Sequence, residues 1–138
     1  MLITIRHGQT DYNEKRVFSG KGDEPRLTLD AHLKAYELGK ELRQYDLDVA
    51  IISPLTRARQ TFDEINKTIN IECIKEDLLI ERDFYKYEGK SLELLDPHIY
   101  WDMDKSDIYE IEKLSSLVSR VEIALNKIKE EEEWLYEH

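Results

Sequence analysis

The chain has 138 residues, 41% apolar and 36% charged, with a net charge of −10. That length suits one domain of ordinary size, able to bury roughly two-thirds of its unfolded surface, and the composition is that of a globular rather than a disordered chain. The acidic balance argues against nonspecific nucleic-acid binding, which needs a basic surface. No stretch approaches the roughly 20 apolar residues of a membrane span, so no membrane partner is expected. The lone cysteine, Cys73, excludes an internal disulfide, fits a cytoplasmic location and hints at no metal cluster. A small phosphorylated ligand stays compatible, because a few arginines converging in one cleft reverse the local field.

The apolar start Met1–Ile5 predicts a buried strand that ends at Arg6-His7-Gly8-Gln9-Thr10. In open α/β sheets ligands sit at the carboxyl ends of strands. A histidine beside an arginine there suits attack on a phosphoryl group, the imidazole as nucleophile and the guanidinium fork on the phosphate oxygens. Gly8 would let a ligand approach the backbone. The loop from Asn13 to Gly22, with Arg16, Ser19 and Gly20, is polar and flexible enough to wrap a phosphate. Ala31, Ala35, Leu38 and Leu42 then recur at helical spacing, with Thr28 as N-cap.

Asp48–Ile52 reads as a second strand, ending at Ser53-Pro54. Pro54 is tolerated only before or at a helix's first turn, so a helix is predicted over Arg57–Asn66, its N-terminal N–H groups favouring an anion beside Arg57. Ile69–Ile74 and Leu78–Ile80 form a third strand-like region, followed by Glu81-Arg82. Alternating strands and helices predict a parallel sheet with right-handed crossovers. Residues 91–112, interrupted by Pro97, are expected to hold a short helix and a lid-like connection. Leu114, Leu117, Val118, Val121, Leu125 and Ile128 predict a last helix packed on the sheet. His32 and His98 read as solvated.

Singly, these signals are ordinary. Arg57 and Arg59 fit exposed helix positions, and Glu81 is one of 30 acidic residues. Their order is specific. Arg6-His7-Gly8-Gln9-Thr10 with Asn13, the segment Gly20–Thr28, the run Ser53-Pro54-Leu55-Thr56-Arg57-Ala58-Arg59-Gln60-Thr61 and the stretch Glu81–Gly89 together resemble the histidine phosphatase superfamily, which includes the phosphoglycerate mutases. The resemblance covers residues 2 to about 128. It implies one domain over 1–138, a three-layer α/β sandwich with a mainly parallel sheet that lacks the family's last strand and helix. It also implies that His7 becomes phosphohistidine, that Arg6 and Arg57 bind the phosphate, and that Glu81 gives the leaving oxygen its proton. Asn13, Ser19 and Gly20 would line the phosphate loop, with Arg82 as a further substrate contact. The implied reaction is metal-independent phosphoryl transfer or phosphomonoester hydrolysis. A phosphorylated small-molecule activator enters only for a mutase.

Two departures qualify this. The family's second His-Gly has no counterpart, His138 being a poor stand-in, and Tyr85 stands where the family usually has glycine. Losing one preorganised donor typically costs about 10²–10³ in rate, so a slow enzyme is expected. The alternative is a non-catalytic phosphate-binding or assembly protein, or a truncated gene product, that retains half the site. Without the last strand, Leu2–Ile5 becomes an uncharged, proline-free sheet edge, which predicts a homodimer.

Overall fold

A threonine opens each of the first two helices. Thr10 caps Asp11–Lys15 (α1) and Thr28 caps Leu29–Leu42 (α2), each side-chain oxygen accepting the N–H of the residue three further on. The computed structural model describes residues 1–96 and 111–137. After α2, Val49–Ile52 (β1) runs parallel to Glu72–Lys75 (β2), with Val49 opposite Glu72 and Ile52 opposite Lys75. The crossover between them is Thr56–Ile69 (α3), which ends where Asn70 turns into the left-handed region at φ 51°. A parallel pair needs such a helical crossover, and these two strands and two helices fall where the apolar spacing predicts them.

Helices α2 and α3 form the firmest contact. Ala35, Leu42 and Ile65 make a buried cluster, joined by Ile3, Leu38, Leu47 and Ile69. Gly39 permits the close crossing, since a Cβ there would lie 2.5 Å from the Ile65 carbonyl oxygen. A second cluster of Phe18, Leu95 and Ile111, with Phe84, Tyr87 and Leu92 against it, ties the loop after α1 to the segments around residues 84–95 and 111. In it the Phe18 and Phe84 rings stack with centroids 4.9 Å apart.

Several expectations need correcting. Met1–Ile5 joins no strand among the described residues. Only Ile3 faces the α2–α3 core, while Leu2 is 61% and Ile5 44% exposed. A strand needs a partner to satisfy its N–H and C=O groups, and apolar sequence alone does not supply one. Leu78–Ile80 is not strand either, because Asp77–Leu79 forms a 3₁₀ turn capped by the Glu76 side chain. The last helix, Leu114–Glu137 (α4), docks on that turn. Its stripe is not uniformly inward: Ala124 is fully buried, but Val118 and Leu125 are about half exposed. His32 is half-buried with Nδ1 3.3 Å from Glu64 Oε1, so it is paired rather than simply solvated. Of the 91–112 connection, Leu92–Leu94 forms a 3₁₀ turn. Pro97 and His98, with the rest of the connection up to residue 110, and His138 lie outside the described residues.

Candidate active site

His7 follows the extended Met1–Ile5 segment and is half-buried, with Nδ1 2.7 Å from the Gly8 carbonyl oxygen. A carbonyl only accepts, so Nδ1 donates and the unprotonated lone pair sits on Nε2. Desolvation is the main influence lowering the His7 pKa. The Gly8 bond opposes it, Arg57 and Arg6 add to it, and Glu81 opposes it. The neutral imidazole therefore prevails near neutral pH, the form a nucleophile requires. Arg6, Arg57 and Glu81 thus all act electrostatically on the one ring.

Helix α3 fixes the geometry from below. Thr61 Oγ1 accepts the Gly8 N–H at 3.0 Å and donates to the Arg57 carbonyl at 2.8 Å, locking the residue after His7 onto the helix that carries Arg57. Gly8 serves packing rather than ligand approach, because a Cβ there would meet Ala31 Cβ at 3.0 Å and Leu27 Cδ2 at 3.3 Å. Gln60 Oε1 accepts the Leu27 N–H at 3.0 Å, adding a second tie from α3.

Arg57 is 1% exposed. Its Nη2 donates to the Gly20 carbonyl at 2.6 Å and its Nη1 to the Gly22 carbonyl at 3.0 Å. Burial lowers its pKa, opposed by Glu81, Asp23 and Glu88. A guanidinium has five N–H donors, and these two bonds take one from each Nη. The other face of the loop is held by Glu88, whose carboxylate accepts from Lys21 N at 2.8 Å and Gly22 N at 3.1 Å. Burial pushes the Glu88 carboxyl up, against the Lys21 bond. Gly20 adopts φ 57°, a left-handed conformation that suits glycine. Ser19 lies half-buried beside it.

Asn13 spends its Oδ1 on the Thr10 N–H at 2.9 Å, completing a reciprocal capping box at the start of α1. At the start of α3, Asp23 takes the Thr56 N–H at 2.7 Å and the Thr56 hydroxyl at 2.8 Å, so the first helical N–H already has an anionic partner. Arg6 and Glu81 are exposed at the rim. Glu81 Oε1 accepts from its neighbour Arg82 N at 2.7 Å. Arg82 points elsewhere: it is 3% exposed, donates from Nε to the Glu112 carbonyl at 2.9 Å and lies 5.7 Å over the Phe84 ring. Tyr85, where the resemblance led to an expected glycine, holds φ 44°, a left-handed conformation that costs a tyrosine some strain.

A half-buried neutral imidazole, two guanidinium groups and a carboxylate converging at the end of an extended segment can accept a phosphate, attack it and protonate its leaving group. The profile of the histidine phosphatase superfamily (branch 1) matches residues 2–135, and the chain belongs to that superfamily. Within it the chain is 35% identical over 92 residues to an uncharacterized phosphatase, PhoE, of Bacillus subtilis, covering 67% of this chain and 47% of that protein. It is 39% identical over 94 residues to a 2,3-bisphosphoglycerate-dependent phosphoglycerate mutase of Rhizobium rhizogenes, covering 64% of this chain and 44% of that one. The structure of Bacillus stearothermophilus YhfR superposes with a TM-score of 0.78 at 26% identity, covering 91% of this chain and 65% of that one. The chain thus spans less than half the length of these curated relatives.

Proposed function

We propose that the protein transfers phosphoryl groups from small phosphate monoesters through a phosphohistidine on His7. The observation that carries this is the tautomer: Nδ1 is committed to the Gly8 carbonyl, so Nε2 offers its lone pair where Arg6, Arg57 and Glu81 act together. In this reading Arg6 and Arg57 draw the phosphate oxygens, Nε2 attacks phosphorus, and Glu81 gives a proton to the departing alkoxide. Water or a second hydroxyl then takes the phosphoryl group from His7. Ser19, Gly20 and the Asn13 amide border the space the phosphate would fill. Arg82 has a supporting place, behind Glu81.

Incubation with a reactive phosphoryl donor should give an acid-labile, base-stable phosphoprotein that His7→Ala abolishes. Equal labelling of wild type and variant would rule the reading out. The reading also places the protein in the cytoplasm, where small phosphate esters are made and used; among the described residues no helix is long and apolar enough to cross a membrane. A homodimer is part of it. Exposed Leu2 and Ile5 in a segment without a strand partner invite pairing with a second copy. Sedimentation at micromolar concentration should give twice the monomer mass, and a monomer there would refute the pairing.

A further inference from the structure

The segment that carries Glu81 has little regular structure of its own. After the 3₁₀ turn at Asp77–Leu79, residues 80–84 lie in neither helix nor strand. Backbone carbonyls without ladder partners must find donors elsewhere or lose free energy on burial. Here one side chain supplies several. Arg120, on α4, donates from Nη1 to the Leu78 carbonyl at 3.0 Å and to the Ile80 carbonyl, and from Nη2 to the Glu81 carbonyl at 3.3 Å.

The guanidinium is itself held. Its Nε and Nη2 bind the two oxygens of Glu112 at 3.0 and 2.7 Å, a bidentate fork with both side chains about 15% exposed. Glu112 closes the circuit from its own side. Its Oε1 accepts the Asp83 N–H at 3.1 Å, its N–H donates to the Asp83 carbonyl at 2.8 Å, and its carbonyl accepts from Arg82 Nε at 2.9 Å. Residues on both sides of Glu81, and Glu81's own carbonyl, are therefore fastened to one ion pair. The Glu81 side chain stays exposed at the rim of the site.

We propose that Arg120 and Glu112 are positioning residues, which fix the turn over residues 78–83 and thereby present the Glu81 carboxylate to the leaving-group side of His7. This rests on the reading that Glu81 is the proton donor. An ion pair that served only to dock α4 would need a contact anywhere along the helix. This one is spent on the carbonyls of Leu78, Ile80 and Glu81, the stretch that leads into the acid. The planar fork is essential, since a lysine ammonium in the same place keeps the charge but cannot hold Glu112 bidentately and reach those carbonyls together.

The test compares wild type, Arg120→Lys, Glu81→Gln and the double variant, each checked for folding by circular dichroism. The first readout is the His7 pKa, from the imidazole Cε1 proton by NMR with His7→Gln to assign the signal; it needs no turnover. Glu81 raises that pKa in the native structure, so Glu81→Gln should lower it, because a nearby carboxylate favours the imidazolium. Arg120→Lys, charge-neutral in itself, should lower it in the same direction, and the double variant no further than Glu81→Gln alone. The second readout is the rate ratio between alkyl and nitrophenyl phosphates, which should fall about tenfold in Arg120→Lys, part of the range a general acid supplies.

A folded Arg120→Lys protein with a wild-type His7 pKa and rate ratio overturns the proposal, as does a Glu81→Gln protein whose His7 pKa does not move. Should Arg120→Lys fail to fold, Glu112→Gln breaks the same fork and is read by the rate ratio alone, since it also removes a charge that would itself lower the His7 pKa. Failure of phosphohistidine labelling alongside the expected His7 shifts would overturn the phosphotransfer reading and leave only the placement of the Glu81 carboxylate beside His7 standing.

Discussion

Replacing Thr61 by valine removes one hydroxyl and little volume. That hydroxyl accepts the Gly8 N–H at 3.0 Å and donates to the Arg57 carbonyl at 2.8 Å. The second bond is the cheaper loss, because the Arg57 carbonyl sits inside α3, where the helical ladder already gives it a donor. The first leaves a partly buried N–H with no partner, a penalty of about 1–3 kcal/mol when burial is complete. Gly8 is only half-buried, so the lower half of that range, about 1–2 kcal/mol, is expected. Across a chain of 138 residues, with an unfolding entropy of about 2.1 cal/mol/K per residue, this lowers Tm by about 3–7 °C. Thermal and urea unfolding of Thr61→Val and Thr61→Ser give the check. Serine keeps the hydroxyl and should recover most of the loss. A wild-type stability for Thr61→Val beside a loss for Thr61→Ser would show that the methyl's packing, not the bond to Gly8, holds the residue after His7 in place.

Arg57→Lys should weaken binding of inorganic phosphate about ten- to hundredfold, the worth of one charge-assisted hydrogen bond; unchanged affinity in a titration would remove Arg57 from the site. Glu81→Gln should slow hydrolysis of alkyl phosphates by about 10²–10⁴, the range for a general acid, while nitrophenyl esters, which leave without a proton, lose far less; uniform slowing would mean a structural role. Burial alone would raise the Asp23 carboxyl, but the Thr56 N–H and hydroxyl, with Arg26 and Arg57, outweigh it and hold it below its ordinary range. A depressed carboxyl stabilises the fold above its unfolded value, and that contribution disappears as pH falls through the native one. Asp23→Asn should therefore flatten the acid limb of stability below about pH 4, and an unaltered limb in urea titrations at stepped pH would contradict this.

Local chemistry was the legible part. Thr28 announces α2 because a cap and an apolar stripe are both short-range signals, and Ser53-Pro54 followed by Thr56–Thr61 announces α3 for the same reason. The convergence of His7, Arg6, Arg57 and Glu81 was legible only through motif order, since each residue alone fits an exposed surface. What the pattern hid was partnership across sequence distance. Gly8 reads as space for a ligand until Ala31 is seen against it. Arg120 reads as one more charge on the polar side of an amphipathic helix, and nothing near it in sequence points to carbonyls some forty residues earlier. Met1–Ile5 reads as an interior strand because hydrophobicity registers the wish to be covered, not the presence of a cover.

The glycine at position 39 acts at a distance from the chemistry. It sits two turns along α2 from Ala31, about 12 Å at 1.5 Å per residue, and lets the helix backbone rest against the Ile65 carbonyl. At the near end of the same helix Ala31 abuts Gly8, while α3 carries Arg57 and Thr61. The two helices therefore work as the arms of a caliper whose jaws are His7 and Arg57 and whose screw is Gly39. A single methyl added at the screw must part the arms, and the jaws, which share the Gly8–Thr61 bond, would register the change as altered reach between imidazole and guanidinium. In such a variant turnover would fall out of proportion to Tm, and loss of both in step would show that the arms bend instead of swinging.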